Sequence, residues 1–510
     1  MKAHWKILIW MILGVLVGGF LQLFLEAPLA VGLVLEKQGD SILIQKVDKA
    51  AKKAGLAPGM RIDAVILRRG RKGEKTVPLH EPKDFFAVLP EGKLGDVVFL
   101  RVREGTKTDL KPLTLEMAED APRRVWIQPF RYGAQLFMAL LKMLIVPLVL
   151  TSIISGVAGV GATRDLKRLG AKTLGYYLMT SLFAILTGLF LVNILRPGVG
   201  AELGLPYQEA RAVGRSFWDI LLRMVPENLF VALGDNGRML QIIFFGLLFG
   251  AAITIAPEPH RGRVRDFFQS AFEIMMKLAE MILKLVPYGV FCLLVKVVGE
   301  TGFGLFKPLA LYMGMIVFGL AFHGLIVLPF LLQFMGRIRP LAWAKAMAPA
   351  LMTAFSSSSS SMTLPVTLEC VEKRGGVSNK VSSFVLPLGA TINMDGTALY
   401  ECAGVIFLSQ YYASIGGVSL SLGQQVFVVV MALFASIGAA GIPSAGLVMM
   451  VTILSALKLP VEGAALLLAV DRPLDMLRTV INVWSDSCGS ALIAKSEGEA
   501  VLANLDSRSG

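Results

Sequence analysis

The chain has 510 residues, of which 55% are hydrophobic and only 17% are charged. A soluble domain of this length needs more polar surface, so the composition argues against a soluble enzyme. The charge is concentrated between Pro28 and Arg124, where 33 of 97 residues are charged. The sequence therefore predicts a membrane protein with one water-facing insert. The net charge of +13 could suggest nucleic-acid binding, but basic residues form short clusters between apolar spans, a pattern typical of cytoplasmic loops.

The apolar stretches before residue 340 predict membrane spans. Ile7–Leu25 is uncharged and follows two lysines, which indicates an uncleaved first span, with a signal peptide as the alternative. Further spans are predicted at Tyr132–Thr163, Thr173–Leu195, Met239–Pro257 and Pro308–Gly336, and residues 266–295 form an amphipathic span with one wet side.

The basic clusters between these spans predict the orientation. They begin at Arg164, Arg261, Arg337 and Lys373, and the first three alternate correctly with a cytoplasmic amino terminus. The first span then leads outward, so the insert is expected outside the cell membrane and the carboxy terminus inside.

The last third of the chain departs from simple spans. Ala346–Leu368 is uncharged, yet it contains the serine run Ser356–Ser361. Cys402–Leu457 is also uncharged and would be about 84 Å long as one helix, so it must fold back. The first break, at Ser360, precedes the polar residue Asn393 by 33 residues. The second break, at Pro443, precedes Asp475 by 32 residues. Paired interruptions of this kind predict a transporter binding site.

The last predicted span carries a stripe of polar residues. At helical spacing five of them share one face, with Thr479 at its edge: Asp471, Asp475, Arg478, Asn482 and Asp486. Ionisable groups inside a membrane are costly and functional by default. With Asp395 and Glu401 nearby, the negative charge predicts coupling to cations, and the oxygen-rich set suits Na⁺.

Several segments resemble the dicarboxylate/amino acid:cation symporter family, which includes excitatory amino acid transporters and archaeal aspartate transporters. They are AFSSSSSSMTLPVT (354–367), FVLPLGATINMDGTALYE (384–401), GAAGIPSAGLVMM (438–450), LDMLRTVINVWSDS (474–487), GYYLMTS (175–181) and LLKMLIVP (140–147). The resemblance implies an all-α polytopic membrane protein with eight transmembrane helices, two re-entrant helical hairpins and the glutamate-transporter fold, usually a homotrimer.

The resemblance also implies roles for the substrate-binding residues. Arg478 is expected to bind the side-chain carboxylate of an acidic amino acid, and Asp475 its α-ammonium group. The remaining contacts are expected from Asn482, Thr479, Ser360, Thr397, Ile442, Pro443 and Gly446.

Three sodium sites follow from the same resemblance, and no other cofactor is expected. The first site uses Asp486, Asn393 and the carbonyls of Gly389 and Asn482. The second uses carbonyls of Thr391, Ser436, Ile437 and Ala439. The third uses Tyr177, Thr180, Ser181, Asn393 and Asp395.

Two departures from the family pattern concern charge. Relatives carry an accessory arginine in the serine run or just after the aspartate that here is Asp475, and this chain has Ser358 and Met476 instead. Glu401 stands where eukaryotic members have a proton-carrying glutamate. Two interpretations stay open for it, a proton carrier or a hydrogen-bonded glutamate in a wet crevice.

The insert resembles a bacterial PDZ domain. Short β-rich runs surround AGLAPGMRI (54–62), which matches the AGLxPGDxI turn except for Met60. The residues expected to bind a peptide carboxylate are Val31, Gly32, Leu33 and Val34. A PDZ-shaped spacer without a ligand is the alternative.

The predicted organisation has five parts: a first transmembrane helix (1–26), an extracytoplasmic PDZ-like α+β insert (27–124), helices two to six (125–340), a transport core (341–498) and a cytoplasmic tail (499–510). The predicted function is sodium-coupled symport of aspartate or glutamate across the inner membrane, with proton coupling open. Alternatives are a C4-dicarboxylate or neutral amino acid symporter. An intramembrane metalloprotease is disfavoured because no HExxH motif occurs, and a PDZ-bearing scaffold would not need so many spans with buried charge.

Overall fold

The computed structural model describes residues 3–26, 29–30, 33–38, 41–47, 51–52, 54–68, 74–79, 81–88, 97–104, 107–114, 116–117, 121–158, 164–201, 203, 225–235, 238–415, 419–438 and 445–502. Five predicted site residues lie outside these ranges, namely Val31, Gly32, Ala439, Ile442 and Pro443.

The described chain consists of helices with one small group of strands near its start. The strands are β1 (Leu29–Ala30), β2 (Leu33–Gln38), β3 (Ser41–Val47), β4 (Arg61–Arg68), β5 (Glu74–Pro78), β6 (Val97–Glu104), β7 (Lys107–Thr114) and β8 (Glu116–Met117). The helices up to residue 301 are α1 (Ala3–Phe24), α2 (Pro82–Val88), α3 (Pro122–Ala158), α4 (Arg164–Leu195), α5 (Leu229–Leu233), α6 (Met239–Ile255), α7 (His260–Leu283) and α8 (Val286–Thr301).

The helices of the last two hundred residues are shorter and more often interrupted. They are α9 (Phe306–Phe322), α10 (Leu328–Gly336), α11 (Pro340–Ser357), α12 (Ser360–Glu369), α13 (Asn379–Ile392), α14 (Asp395–Ser414), α15 (Leu422–Gly438), α16 (Ala445–Ala456) and α17 (Glu462–Ser496). A π-helical turn, His323–Val327, joins α9 to α10, and a second one, Cys370–Arg374, follows α12.

Two described helical stretches are long and apolar enough to cross a membrane, Arg168–Leu195 and Gly302–Gly336. The pair His260–Ile282 and Val286–Glu300 would make a third span, bent by 50°. The sequence predicted one continuous segment over 266–295, and the bend falls where Pro287 opens α8. Shorter apolar helices are Ile9–Phe24, Val146–Ala158, Gln241–Ile255 and Leu422–Ser436.

Small residues let α1 approach α8 closely. A Cβ atom added to Gly14 would lie 3.0 Å from the Cβ atom of Leu294, and one added to Gly18 would lie 2.9 Å from that of Val298. Glycines four residues apart lie on one helix face, so this face can pack backbone to backbone. Across the same group of helices, Arg131 of α3 pairs with Glu300 of α8 at 2.6 Å.

The two central helices of the last third are α14 and α17. Residues 395–409 of α14 are all buried, and so are residues 482–494 of α17. Because neither helix faces solvent or the protein surface over these lengths, their polar side chains must find partners on each other or on neighbouring helices.

The insert is a small α+β unit. An antiparallel sheet has the order β2-β3-β4-β6-β7, with β5 on β4, and β1 pairs separately with β8. One face holds a core that includes Ile44, Val65 and Phe85. On the other face the cross-strand partners Ile66 and Phe99 are buried, and Ile415 at the end of α14 packs against them.

Comparison with the predicted strands is favourable but incomplete. The β-rich runs that the sequence predicted around the AGLAPGMRI motif are 31–35, 41–47, 62–67 and 97–102, and their described residues lie in β2, β3, β4 and β6. The strands β5 and β7 and the helix α2 were not predicted, because β5 and β7 are rich in Lys and Thr rather than in apolar residues. Helix α3 begins at Pro122, two residues before the predicted end of the insert.

Candidate functional site

The polar stripe predicted on the last span lies on α17 and is buried. Its five residues, Asp471, Asp475, Arg478, Asn482 and Asp486, are each at most 5% exposed. Pro473 lies within the helix and starts no break in it. Helix α17 packs against α14, α13 and α12, which carry Thr397, Gly389 and Ser360 among the other predicted residues.

Arg478 is fully buried between two carboxylates of its own helix. Its Nη2 atom donates to Oδ1 of Asp471 and to Oδ1 of Asp475, both at 2.8 Å. The guanidinium carbon lies 3.8 Å from the ring centre of Tyr400, a cation–π contact. The Nε and Nη1 atoms have no hydrogen-bond partner among the described residues. Arg478 therefore retains two unpartnered donors for a carboxylate.

Residues from three helices surround this guanidinium. Asn482 donates to Oγ1 of Thr397 at 3.3 Å and accepts from the backbone N–H of Gly396 at 2.8 Å. A Cβ atom added to Gly446 would lie 3.1 Å from Nη1 of Arg478, so the absence of a side chain there leaves room beside the unpartnered donor. Thr479 donates to the backbone oxygen of Asp475 at 2.8 Å, within the helix.

The break between α11 and α12 lies in the serine run. Ser358 has a left-handed conformation with φ of 53°, which stops α11. Ser359 caps α12 by accepting from the N–H of Met362 at 3.2 Å. Ser360 is the first residue of α12 and is buried.

A second polar cluster lies where α13 gives way to α14. Asn393, at the break, donates to Oδ1 of Asp486 at 2.9 Å and to Oγ of Ser485 at 3.0 Å. Thr180 of α4 lies with Oγ1 3.4 Å from Oδ1 of Asn393. Segments far apart in sequence thus meet at one amide side chain.

Asp395, the first residue of α14, completes this cluster. Ser181 donates to its Oδ1 atom at 2.7 Å, and Nε2 of His323 lies 3.1 Å from its Oδ2 atom. All three side chains are buried. His323 was missed in the sequence because it is a lone histidine without ligand spacing.

Gly389 brings the backbone of α13 close to the same cluster. A Cβ atom added there would lie 2.5 Å from Oδ1 of Asp486 and 2.5 Å from the hydroxyl of Tyr177. Tyr177 itself donates to the carbonyl of Val385 at 2.8 Å. Only glycine permits this approach, because any side chain would collide with Asp486. The backbone of α13 therefore lies directly beside that carboxylate.

Comparison with known proteins adds a family assignment. The model of the sodium:dicarboxylate symporter family matches residues 123–496, which contain both polar clusters. The chain belongs to the sodium:dicarboxylate symporter family. The prediction of a symporter of this kind, rather than an enzyme, is thereby confirmed.

Curated members of this family share about a third of their residues with the chain. Excitatory amino acid transporter 3 of Mus musculus is 36% identical over 419 residues, covering 72% of this chain and 79% of that protein. An excitatory amino acid transporter of Caenorhabditis elegans is 36% identical, covering 71% and 80%. The proton/glutamate-aspartate symporter of Escherichia coli (strain K12) is 34% identical, covering 72% and 84%.

The second predicted sodium site of this symporter is only partly described. Thr391 lies near the end of α13, and its hydroxyl donates to the carbonyl of Leu388 at 3.0 Å. Ser436 is buried in α15, and its hydroxyl donates to the carbonyl of Leu433 at 2.8 Å. Ile437 follows it in the helix. The described residues thus give the two segments but no shared contact, and their roles stay predictions.

Glu401 lies six residues along α14 from Asp395. It is fully buried, and neither carboxylate oxygen has a hydrogen-bond partner among the described residues. An ionised carboxylate in such a place costs on the order of several kcal/mol unless it is paired or protonated. Both interpretations of Glu401, a proton carrier and a hydrogen-bonded glutamate in a wet crevice, stay predictions.

The symporter carries a second arginine at the stripe that the sequence did not single out. Nη1 of Arg472 lies 3.5 Å from Oδ2 of Asp475, and both side chains are largely buried. Residue 472 points about 100° away from residue 471 around the helix, so the periodicity placed it off the stripe. The flexible arginine side chain nevertheless reaches Asp475 three residues on.

The chemistry of the two clusters differs. The first cluster pairs the guanidinium of Arg478 with two carboxylates. The second cluster, around Asn393, consists of carboxylate, amide and hydroxyl groups and the imidazole of His323. Among the residues that the structure describes, no three His, Cys, Asp or Glu side chains come together as a metal site. A cation bound here would therefore need carbonyl, amide and hydroxyl oxygens beside the carboxylates, as hard cations accept.

Proposed function

We propose that this protein imports an acidic amino acid, aspartate or glutamate, into the cell together with Na⁺. The observation that carries the proposal is a buried guanidinium with unpartnered donors, Arg478, next to a buried carboxylate, Asp475. A ligand with one carboxylate for the first and one ammonium for the second satisfies both. The names of the mouse and Escherichia coli relatives agree with such a substrate.

In this proposal the side-chain carboxylate of the substrate binds Arg478 at the unpartnered Nη1 atom, beside Gly446. The α-ammonium binds Asp475. Asn482 and Thr479 hold the α-carboxylate and amino group with Ser360, and Thr397 lies nearby through its contact with Asn482. Gly446 lies next to Arg478 and is proposed to contact the substrate, and Ile442 and Pro443 keep the same proposed role.

Three sodium ions are proposed at the oxygen-rich segments. One binds Asp486, Asn393 and the carbonyls of Gly389 and Asn482, supported by the closeness of Gly389 to Asp486. Another binds Asp395 and Asn393 with Tyr177, Thr180 and Ser181, which lie on α4. The last uses carbonyls of Thr391, Ser436, Ile437 and Ala439.

A proton is proposed as a further coupled ion, carried by Glu401. Its support is the full burial of an unpartnered carboxyl group on the helix that also carries Asp395 and Thr397. A carboxyl group that must be neutral when buried can deliver one proton for each crossing of the membrane.

The proposed architecture is that of eight spans and two re-entrant hairpins, α11–α12 and α15–α16, in a homotrimer of the inner membrane. The first helix (1–26) and helices two to six (125–340) surround the transport core (341–498). The amino terminus and the tail (499–510) are cytoplasmic, and the insert (27–124) lies outside. The proposed orientation of the termini and the insert is supported by the alternation of basic clusters with apolar helices.

A peptide or protein carboxy terminus is the proposed ligand of the insert, bound beside β2 at the segment that includes Leu33 and Val34. Support comes from the antiparallel pairing of β2 with β3 alone, which leaves the other edge of β2 open among the described strands. An added strand could pair there.

Uptake by purified protein in liposomes tests the proposed transport function. We expect an inward Na⁺ gradient to drive aspartate uptake and Asp486→Asn to weaken the Na⁺ dependence sharply. Arg478→Thr is expected to lower aspartate affinity by about 3–5 kcal/mol, because a buried carboxylate loses its partner. Arg238→Gln, at an exposed arginine paired with Asp235, is the control. Wild-type uptake that is equal without Na⁺ would refute the sodium coupling.

A further inference from the structure

Asp475 faces two guanidinium groups. Its Oδ1 atom accepts from Arg478, and its Oδ2 atom lies 3.5 Å from Nη1 of Arg472. The side chain of Arg472 is 13% exposed and that of Asp475 is 7% exposed. The Nε atom of Arg472 has no hydrogen-bond partner among the described residues. At 3.5 Å the contact is an ion pair rather than a strong hydrogen bond.

The formal charges of this group balance before any substrate binds. Asp471 and Asp475 contribute two negative charges, and Arg478 and Arg472 contribute two positive ones. Without Arg472 the group would carry one uncompensated negative charge in a buried place, which is strongly unfavourable. An amino acid with an acidic side chain brings one ammonium group, which is the charge that Arg472 supplies in the empty site.

We propose that Arg472 pairs with Asp475 in the empty site, in the place that the α-ammonium group of the substrate takes when it binds. It neutralises Asp475 while the site is empty and releases it when an amino acid binds. This inference rests on the proposed binding of an acidic amino acid at the same site. The two arginines differ in burial. Arg478 is fully buried and stays in place, whereas Arg472 is partly exposed, so its guanidinium can move towards water.

The role makes Arg472 a specificity-determining residue. An amino acid must displace Arg472 from Asp475, so Arg472 weakens amino acid binding. A dicarboxylate such as succinate has no ammonium, and it can occupy the site only if Asp475 keeps another cation. Arg472 therefore narrows the difference in affinity between aspartate and succinate.

Binding by the purified full-length protein in saturating Na⁺ tests this role. Aspartate is titrated calorimetrically, and succinate is used as its competitor. For Arg472→Gln we expect the aspartate Kd to fall about tenfold and the succinate inhibition constant to rise about tenfold, from the loss of one charge near 4 Å in a partly buried site. Arg472→Lys, which restores the charge, should return both constants to within about threefold of wild type.

Matched variants separate this role from a structural one. Arg238→Gln removes another i,i+3 arginine–aspartate pair, an exposed one, and should leave the ratio of the two constants unchanged. Arg472→Met keeps the apolar stem without the charge and is the second test if the glutamine variant does not fold.

Two outcomes would overturn the inference. If both constants move in the same direction by the same factor, Arg472 only supports the site. If the neutral variants bind aspartate more weakly, Arg472 contacts the substrate itself. A wild-type protein that does not bind aspartate in Na⁺ would instead refute the proposed function, independently of the variants.

Discussion

His323 and Asp395 are in direct contact in the protein interior, with Nε2 of the imidazole 3.1 Å from Oδ2 of the carboxylate. Ser181 donates to the other oxygen at 2.7 Å. The contact links the π-helical turn between α9 and α10 to the first residue of α14. A π turn widens the helix locally and is frequent at functional sites. His323 therefore orients a carboxylate that we propose as a sodium ligand.

Replacing His323 should disturb sodium binding through Asp395. His323→Leu leaves Oδ2 of Asp395 without this donor, which costs about 1–3 kcal/mol for a buried polar atom. We expect a lower melting temperature and a higher Na⁺ concentration at half-maximal aspartate binding. His323→Gln, which keeps a donor, should recover part of both. An unchanged Na⁺ requirement in folded His323→Leu would contradict the orienting role.

Glu401→Gln should separate proton coupling from sodium coupling. The amide is neutral at every pH and has the shape of a protonated carboxyl group. We therefore expect the dependence of uptake on an imposed pH gradient to disappear while the Na⁺ dependence remains. Glu258→Gln, at an exposed glutamate, is the control. The measurement is aspartate uptake in liposomes at fixed Na⁺, and persistent pH dependence in Glu401→Gln would exclude this residue as the proton carrier.

An ion pair at the end of α17 should give the protein a pH-dependent term in stability. Glu497 accepts from Lys172 of α4 at 2.6 Å and from Arg168. The hydrogen bond from Lys172 and the charges of both basic residues hold the pKa of Glu497 below its ordinary value. A lowered folded-state pKa stabilises the protein above the unfolded pKa, and the effect is lost as the pH falls through the folded value.

The comparison of wild type with Glu497→Gln checks this sign. We expect the variant to have a lower melting temperature near pH 7. Its free energy of unfolding should fall by no more than about 1 kcal/mol, because Arg168 is exposed. The difference should vanish at a pH below the folded-state pKa of Glu497. A difference that grows on acidification would show that the pair does not act through ionised Glu497.

The insert should be removable without loss of transport. Ala30 of β1 pairs with Glu116 of β8, so the chain enters and leaves the insert side by side. Residues 31–115 can be replaced by an Asn-Gly turn that joins the two strands as a hairpin. We expect Na⁺-driven uptake to stay within about threefold of wild type, since a domain whose chain enters and leaves side by side can be spliced out at little cost.

Arg123 must be kept in that deletion. Its guanidinium donates to the carbonyls of Gln22 and Leu25 at 2.6–2.9 Å and so fastens the end of α1 to the start of α3. Arg123→Ala in the full-length chain should lower the melting temperature, whereas the deletion that keeps Arg123 should not. A deleted protein that is folded and trimeric but inactive would show that the insert is part of the transport machinery.

The sequence alone determined the elements that depend on local chemistry. The charge-poor composition, the serine break and the polar face of the last helix could all be predicted from it. Helical periodicity fixes the direction of each Cβ atom, so the stripe from Asp471 to Asp486 could be predicted before the structure was known. Motif likeness extended this to the family, which the match over residues 123–496 confirms.

Only the tertiary structure decided which side chains meet. His323 lies 72 residues before Asp395 in the chain, and no local pattern joins them. Arg472 stands off the stripe by its Cβ direction, but its long side chain turns back to Asp475, a choice made by the surrounding packing. Packing between distant segments also buries Ile66 and Phe99, because Ile415 at the end of α14 lies against their face of the sheet. Periodicity gives directions along one helix, whereas contacts between distant segments depend on how the helices pack.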